Sequence, residues 1–240
     1  MKIDLHVHTN LSGDGRSTKE QLAKAAASRG LDAIVLTDHD ACAITSPELC
    51  ENVWLLPGCE CSTDAGHILG LFPDRIPDFA ALRVNGLVPA SKAVELMHKC
   101  LAVTVLAHPY TRKENCPEAP VDCIESANAR VCFKNPDANK QAKVLAISLG
   151  LPQTGGSDAH AAKEVGNAYT IIEAPDNTLP ALREALLNGR CSPVFVRNTP
   201  RRLKGLSQFR LALNSRKPGR ILKGIVYIVY CVLLDIVRGK

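Results

Sequence analysis

The chain has 240 residues, 46% of them hydrophobic, enough for one sizeable domain with a single core and an appendage. Its ten cysteines are scattered, with no CxxC pair, which excludes a disulfide framework and reads as reduced thiols in a cytoplasmic protein. The net charge of +5 is uneven: from Arg197 onward there are eleven Lys/Arg against one acid, Asp235, while residues 1–196 carry 18 basic and 23 acidic residues and no basic stripe of the kind that tracks nucleic acid.

"KIDLHVH" reads as a strand from the start, with Lys2 and Asp4 interrupting any run that would resemble a signal peptide. "STKEQLAKAAASRG" is a helix, with a Ser/Thr cap before Glu20 and a terminal Gly30. "LDAIVLTDH" is a buried strand, and "NVWLLPGCECS" and "HILGLF" are further strands. "ASKAVELMHKC" is a helix, "AVTVLAHP" a strand and "CIESANA" another strand end. "NPDANKQAKVLAISLG" is a helix, "PQTGGSDAH" a strand and turn, and "LPALREALLNGR" a late helix that brings the body to its end near Val196. Strands alternating with helices of this length predict βα units and a parallel sheet.

Polar residues recur just past the apolar runs: His39 after "AIVLTD", Glu60 after "VWLLPGC", His108 after "VTVLA", and Asp158 after "PQTGGS". In a parallel barrel that place is the C-terminal rim, where βα loops build active sites. Residues i and i+2 of a strand project to one side, so His6 and His8 point together, with Asp4 below them. Asp158 and His160 repeat that spacing. His39 lies in "TDHD", where Asp38 or Asp40 is placed to orient it, because ligating imidazoles need an acceptor behind them. By alternation, Glu60 facing a site turns Cys59 and Cys61 away into the helical layer. His67 in "GHILG" completes a set too large for one tetrahedral ion, which takes about four ligands. Imidazole mixed with carboxylate suits two or three ions of Mn, Fe or Zn. His98 sits within a helical stretch, away from any strand end, and reads as a surface or packing residue.

The pieces "DLHVHT", "SGDG", "TDHD", "PGCECST", "GHILGL", "AHPY" and "GGSDAH", in that order across roughly residues 1–196, resemble the PHP (polymerase and histidinol phosphatase) family. The resemblance implies an α/β fold, a distorted seven-stranded β/α barrel over 1–196 with a multinuclear metal centre, and cleavage of phosphate esters. It further implies that His6, His8, Glu60 and Asp158 hold one ion, that Glu60 bridges to a second held by His67 and His108, and that Asp14, His39 and His160 hold a third. Asp14 stands where some members have histidine. With all nine positions ligand-capable, the pattern is that of a metal-dependent phosphoesterase rather than of relatives that lost their metals.

The expected reaction is attack of a metal-bridging hydroxide on a phosphomonoester or small phosphodiester, since bound metals lower the pKa of water. Asp158 and His160 are the expected catalytic residues, with Arg112 or Arg130 supplying a guanidinium fork for phosphate. The expected partner is a phosphorylated small molecule or nucleotide. Two rival readings are a nucleotidase or nuclease acting on nucleic-acid ends, and a non-catalytic metal-stabilised interaction module. The low aromatic content, 4%, supplies few stacking platforms for single strands, so nucleic acid is the weaker partner and rests on the basic tail alone. That tail, 197–240, ends in the apolar run "IVYIVYCVLL", ten residues against the ~20 of a spanning helix. Its polybasic lead suits peripheral contact with an anionic membrane. A helix packed on the barrel and a dimer contact are the alternatives.

Overall fold

The computed structural model describes residues 1–111, 119–133 and 135–237. In chain order its elements are β1 (Lys2–Val7), α1 (Lys19–Ser28), β2 (Ala33–Leu36), β3 (Glu48–Cys50), β4 (Val53–Thr63), β5 (Gly66–Leu71), α2 (Ala90–Lys99), β6 (Val103–Ala107), β7 (Cys123–Asn128), α3 (Ala138–Leu149), β8 (Gln153–Gly156), β9 (Ala168–Ile172), α4 (Leu179–Leu187), β10 (Cys191–Phe195), α5 (Arg201–Asn214) and α6 (Pro218–Val237). The sheet runs β10-β9-β1-β2-β4-β5-β6-β7-β8, with β3 beside β4. It curls into a nearly closed barrel. Just past β8, the Ala159 N–H donates to the His6 carbonyl at 3.2 Å, and the His8 N–H donates to the Ala159 carbonyl at 2.8 Å.

The interior is apolar at the bottom. Ile3, Leu5, Ala33, Val35, Leu69, Val103 and Val105 fill it, and Leu182, Ala185 and Leu186 of α4 close it. Outside the wall, α2 and α3 cover Cys59, Cys61, Ile68 and Leu106, so both thiols face the helical layer. The α1 helix covers Val7, Ile34, Leu36 and Leu55. It starts as its sequence predicts: Thr18 is the N-cap, and a capping box joins it to Gln21.

The sheet is not wholly parallel. Asp64 and Ala65 alone separate β4 from β5, so the chain doubles back as a hairpin, and β5 is antiparallel to both β4 and β6. Gly66 takes φ +99° at the turn, a region costly for other residues. The strands β9 and β10, "AYTII" and "CSPVF", form a second antiparallel pair beside β1, which the sequence reading did not assign. Their alternation is short and half-exposed, so the periodic signal is weak.

The tail forms a helical hairpin. Small side chains let α5 and α6 approach closely: a Cβ on Gly205 would stand 3.1 Å from Cys231 Cβ, and one on Gly224 would stand 3.1 Å from Phe209 Cδ2. The tail's only acid is also spent here. The buried Asp235 carboxylate accepts from the backbone N–H groups of Arg201 and Arg202, both at 3.0 Å, capping the start of α5 from α6. On α6, Gly224, Cys231 and Asp235 face inward, and Leu222, Val226, Val229, Leu233 and Ile236 remain exposed. Among the described residues, no helix is long and apolar enough to cross a membrane.

Candidate metal centre

Six histidines and three carboxylates converge at one end of the barrel. His6 and His8 arrive from β1, His39 from the loop after β2 and Glu60 from β4. His67 opens β5, His108 follows β6, and Asp158 and His160 follow β8. The loop after β1 brings Asp14. His67 precedes its apolar run rather than following it. It reaches the same rim because β5 is reversed, pairing opposite Ala107 at the end of β6.

Two residues of the cluster sit in the left-handed region, His108 at φ +32° and Asp158 at φ +54°. Non-glycine residues held there cost ~1–3 kcal/mol, and the surrounding contacts keep them in place. At Gly156, any side chain is excluded, since a Cβ would lie 2.4 Å from His6 Cβ. That close approach lets β8 lie against β1 beneath the site.

Glu60 is the hub. It is fully buried, and its oxygens lie 2.8 Å from His67 Nδ1, 2.9 Å from His39 Nδ1, 3.2 Å from His108 Nε2, and 3.4 Å from both His6 Nε2 and His8 Nε2. Asp158 Oδ1 stands 3.6 Å from His8 Nε2 and 3.9 Å from His6 Nε2. Asp14 Oδ2 stands 3.1 Å from His160 Nε2 and 3.6 Å from His39 Nε2.

The outward nitrogens decide the tautomers. His6 Nδ1 meets Glu125 Oε1 at 3.0 Å, an acceptor only, so Nδ1 carries the proton. His160 Nδ1 likewise donates to the Asp158 carbonyl at 2.9 Å. His8 Nδ1 lies 3.3 Å from Ser12 Oγ, and that hydroxyl donates its own proton to Asp38 at 2.7 Å. Thr111 Oγ1 spends its proton on the His108 carbonyl at 2.8 Å and accepts from His108 Nδ1 at 3.1 Å. In the neutral form all four rings therefore aim an Nε2 lone pair at a carboxylate oxygen, acceptor against acceptor.

That arrangement calls for a cation. Among buried polar atoms without a hydrogen-bond partner are His6 Nε2, His8 Nε2, His39 Nδ1, Asp14 Oδ1 and Glu60 Oε2, all belonging to this cluster. Ligand atoms ~2.1 Å from a tetrahedral ion stand about 3.4 Å apart, close to the separations around His6, His8, Glu60 and Asp158. Four overlapping triads have mutually close donor atoms: His6–His8–Asp158, His6–Glu60–His108, His39–Glu60–His67 and His8–His39–His160. The donor set therefore fits two or more divalent ions.

Without ions, protons fill the gap. Burial opposes charge on His6, yet Glu125, Glu60 and Asp158 hold its pKa well above the usual value. Burial likewise opposes charge on His39, and Glu60 and Asp14 hold it up to about 11. Burial would raise Glu60, but His67, His39 and His6 hold it well below the carboxylate range. His8 goes the other way, pushed well down by burial and by its neighbours His160 and His39.

The Asp4 carboxylate accepts from the N–H groups of Ser157, next to Asp158 along the chain, and Gly166, both at 2.8 Å, and from the His6 N–H at 3.4 Å. The expected support of His39 changes. Asp38 binds the Thr9 and Ser12 N–H groups at 2.8 and 3.1 Å and backs His8 through Ser12. Asp40 accepts from the Ser62 N–H at 3.1 Å and pairs with Arg83 at 2.9 Å. Both carboxylates are thus engaged away from the His39 ring. The residue missed was Glu125, which holds His6 through one oxygen and the His108 N–H, at 2.9 Å, through the other. Its signal was the lone acid in the short strand "CIESAN".

Arg112 lies outside the described residues. Arg130 is buried beside the centre; Nη1 donates to the Asp158 carbonyl at 3.3 Å and Nε pairs with Glu164 at 3.4 Å. His98 is far from this cluster in the fold, on α2, paired with Asp122 at 2.9 Å. The centre opens into a cavity of about 420 Å³.

Comparisons with known proteins agree with this picture. Residues 4–105 match the PHP domain model, and residues 136–191 match the PHP-associated model. The chain is 28% identical over 198 residues to an uncharacterized protein of Methanocaldococcus jannaschii, covering 75% of this chain and 76% of that one. It is similar in structure to a two-domain protein of Bacteroides vulgatus containing a predicted PHP-like metal-dependent phosphoesterase, with TM-score 0.61 and 24% identity over 81% of this chain. The match spans 64% of that longer chain. It is also similar to the lesion-specific endonuclease PfuEndoQ of Pyrococcus furiosus, with TM-score 0.55 and 17% identity, covering 78% of this chain and 56% of that one. At these identities the structural likenesses speak for the barrel fold.

Proposed function

The chain belongs to the PHP domain family of metal-dependent hydrolases, and on that premise we propose that it cleaves a phosphomonoester or small phosphodiester. One observation carries the reading: four imidazoles aim Nε2 lone pairs at the oxygens of Glu60, Asp14 and Asp158, an arrangement that two or three divalent ions of Mn, Fe or Zn would satisfy. His6, His8, Glu60 and Asp158 would hold one ion, His67 and His108 with Glu60 a second, and Asp14, His39 and His160 a third. Bound there, the ions supply Lewis acidity and a nucleophilic water near neutral pH.

The chain's own residues do the rest. Glu125 and the Asp38–Ser12 pair fix the His6 and His8 rings, so that their lone pairs need no reorganisation. Arg130 lines the cavity and presents positive charge beside Asp158, where a phosphoryl group is drawn in. His160, with Nδ1 held by the Asp158 carbonyl, would keep Nε2 aimed at the third ion on the cavity wall.

The test is hydrolysis of p-nitrophenyl phosphate, its bis ester, a nucleoside 3′,5′-bisphosphate and a short oligonucleotide with Mn added, alongside elemental analysis. His8→Ala and Asp158→Ala should abolish turnover while the protein stays folded; full activity in both variants refutes the reading.

Peripheral membrane contact through 197–240 rests on one feature, the outward apolar stripe of α6 preceded by Arg216, Lys217, Arg220 and Lys223. Co-sedimentation of the full chain with anionic vesicles, compared with Val229→Glu/Leu233→Glu, tests it, and equal sedimentation removes it.

A further inference from the structure

The cavity over the metal centre is not walled by the barrel alone. Lys204, Gln208 and Leu211, at i, i+4 and i+7 on one face of α5, line it together with Glu60, His108 and Asp158. None of the three lies within the segments that match the family models, 4–105 and 136–191. The wall is built from residues beyond both matches.

The helix is tied down on both sides of the opening. Before α5, the Thr199 N–H donates to the Ala129 carbonyl at 2.8 Å. At its middle, Arg130 Nη2 donates to Ser207 Oγ at 3.3 Å. At its end, Asn214 Nδ2 donates to the Gly13 carbonyl at 2.6 Å, next to the ligand position Asp14. Leu211 closes onto the same loop, where a Cβ on Gly13 would meet its Cδ1 at 3.4 Å. Asp235 then fixes the start of α5 from α6. The helix is thus a fixed roof with partners at three points of the rim.

Resting on the phosphoesterase reading above, we infer that α5 is the substrate-selecting wall of the site: Lys204 and Gln208 contact the part of the substrate away from the ions and restrict it to compact anionic phosphomonoesters. Three observations bear on this. The cavity, about 420 Å³ and open on one side, falls within the range of small-ligand pockets. Lys204 on the roof, its Nζ 5.8 Å from the Phe133 ring centre, and Arg130 on the barrel both line it, so two cationic side chains border the space next to the ligand cluster. An internal phosphodiester would have to bring continuing chain on both sides of the scissile bond into a space that α5 spans.

The experiment uses the full chain loaded with Mn and reads two quantities. The first is the Kd for inorganic phosphate by calorimetry, in the wild type, Lys204→Ala, Gln208→Ala and Lys204→Arg, with bound metal measured in each. Lys204→Ala should weaken phosphate about tenfold at unchanged metal content, and Lys204→Arg should recover most of the loss. Unchanged Kd in both alanine variants overturns the roof contacts. The second is turnover. The wild type should hydrolyse p-nitrophenyl phosphate and leave an internally labelled duplex intact, with KM rising about tenfold in Lys204→Ala and kcat little changed. Internal cleavage of the duplex overturns the size restriction. If the wild type hydrolyses no ester at all, the phosphoesterase reading falls, and the phosphate titration by itself still decides whether Lys204 and Gln208 form an anion-selecting wall.

Discussion

Replacing Glu60 by Gln tests the centre at its hub. The carboxylate lies within 3.4 Å of five imidazoles and is fully buried. Gln keeps the volume and removes the charge and one acceptor. An ion present at a hundredfold its Kd stabilises the native state by about 2.7 kcal/mol. Two ions sharing Glu60 would then add about 5 kcal/mol, which in a chain of this size raises Tm by roughly 10–20 °C. The ligands come from β1, β4, β5, the loops after β2, β6 and β8, and the loop carrying Asp14, so that gain is global rather than local. Thermal melts of wild type and Glu60→Gln, each with Mn and with a chelator, give the two increments. The wild type should show the full shift and the variant a few degrees at most, with bound metal falling in parallel. A variant that keeps the whole metal-dependent increment would refute the hub role of Glu60. In the chelated proteins the variant should still melt lower, because removing one partner from a buried charge cluster costs ~3–5 kcal/mol.

Metal affinity should rise with pH. Charged imidazoles pair with carboxylates in the metal-free centre, and His39, held up to about 11, must lose its proton to ligate. Calorimetry in buffers of different ionisation enthalpy should detect proton release on Mn binding; none released would contradict the assignment. Metal-free stability should run the opposite way, because a histidine whose pKa is raised on folding contributes fully below 6.5 and less as pH climbs towards 11. Glu125→Gln should weaken metal binding about 10–100-fold without touching an ion directly, read by competition with a chromophoric chelator. Gly156→Ala should destabilise the barrel and deplete metal, since its Cβ would sit 2.4 Å from His6 Cβ; a melt and metal content equal to wild type would contradict the close approach. Asp235→Ala should cost about 1–2 kcal/mol from lost capping, seen as faster amide exchange across α5 with the barrel strands unchanged.

Seven of the nine ligand-type residues, His6, His8, His39, Glu60, His108, Asp158 and His160, were legible from local rules, whereas Asp14 entered only through the family resemblance and His67 lay before its apolar run. A strand alternates with period two, so His6 and His8 share a direction. A βα unit ends its strand at the rim, so His39, His108 and Asp158 meet there. The helices α1 to α4 were legible for the same reason, periodicity and caps being properties of neighbouring residues. Tertiary structure decided what depends on pairing between distant segments. The Asp4 carboxylate meets the Ser157 and Gly166 N–H groups, partners more than 150 residues away that no spacing encodes. The reversal of β5 put His67 on the rim from the wrong end of its apolar run. Glu125 became the support of His6 only when the fold brought its Oε1 within 3.0 Å of His6 Nδ1. The tail shows the difference most sharply. Its composition records a basic stretch followed by an apolar run, whereas its position over the cavity follows from single partners: Asp235 on the start of α5, Ser207 under Arg130, and Asn214 on the Gly13 carbonyl. Hydropathy sums over a segment and carries no information about which distant donor meets which acceptor.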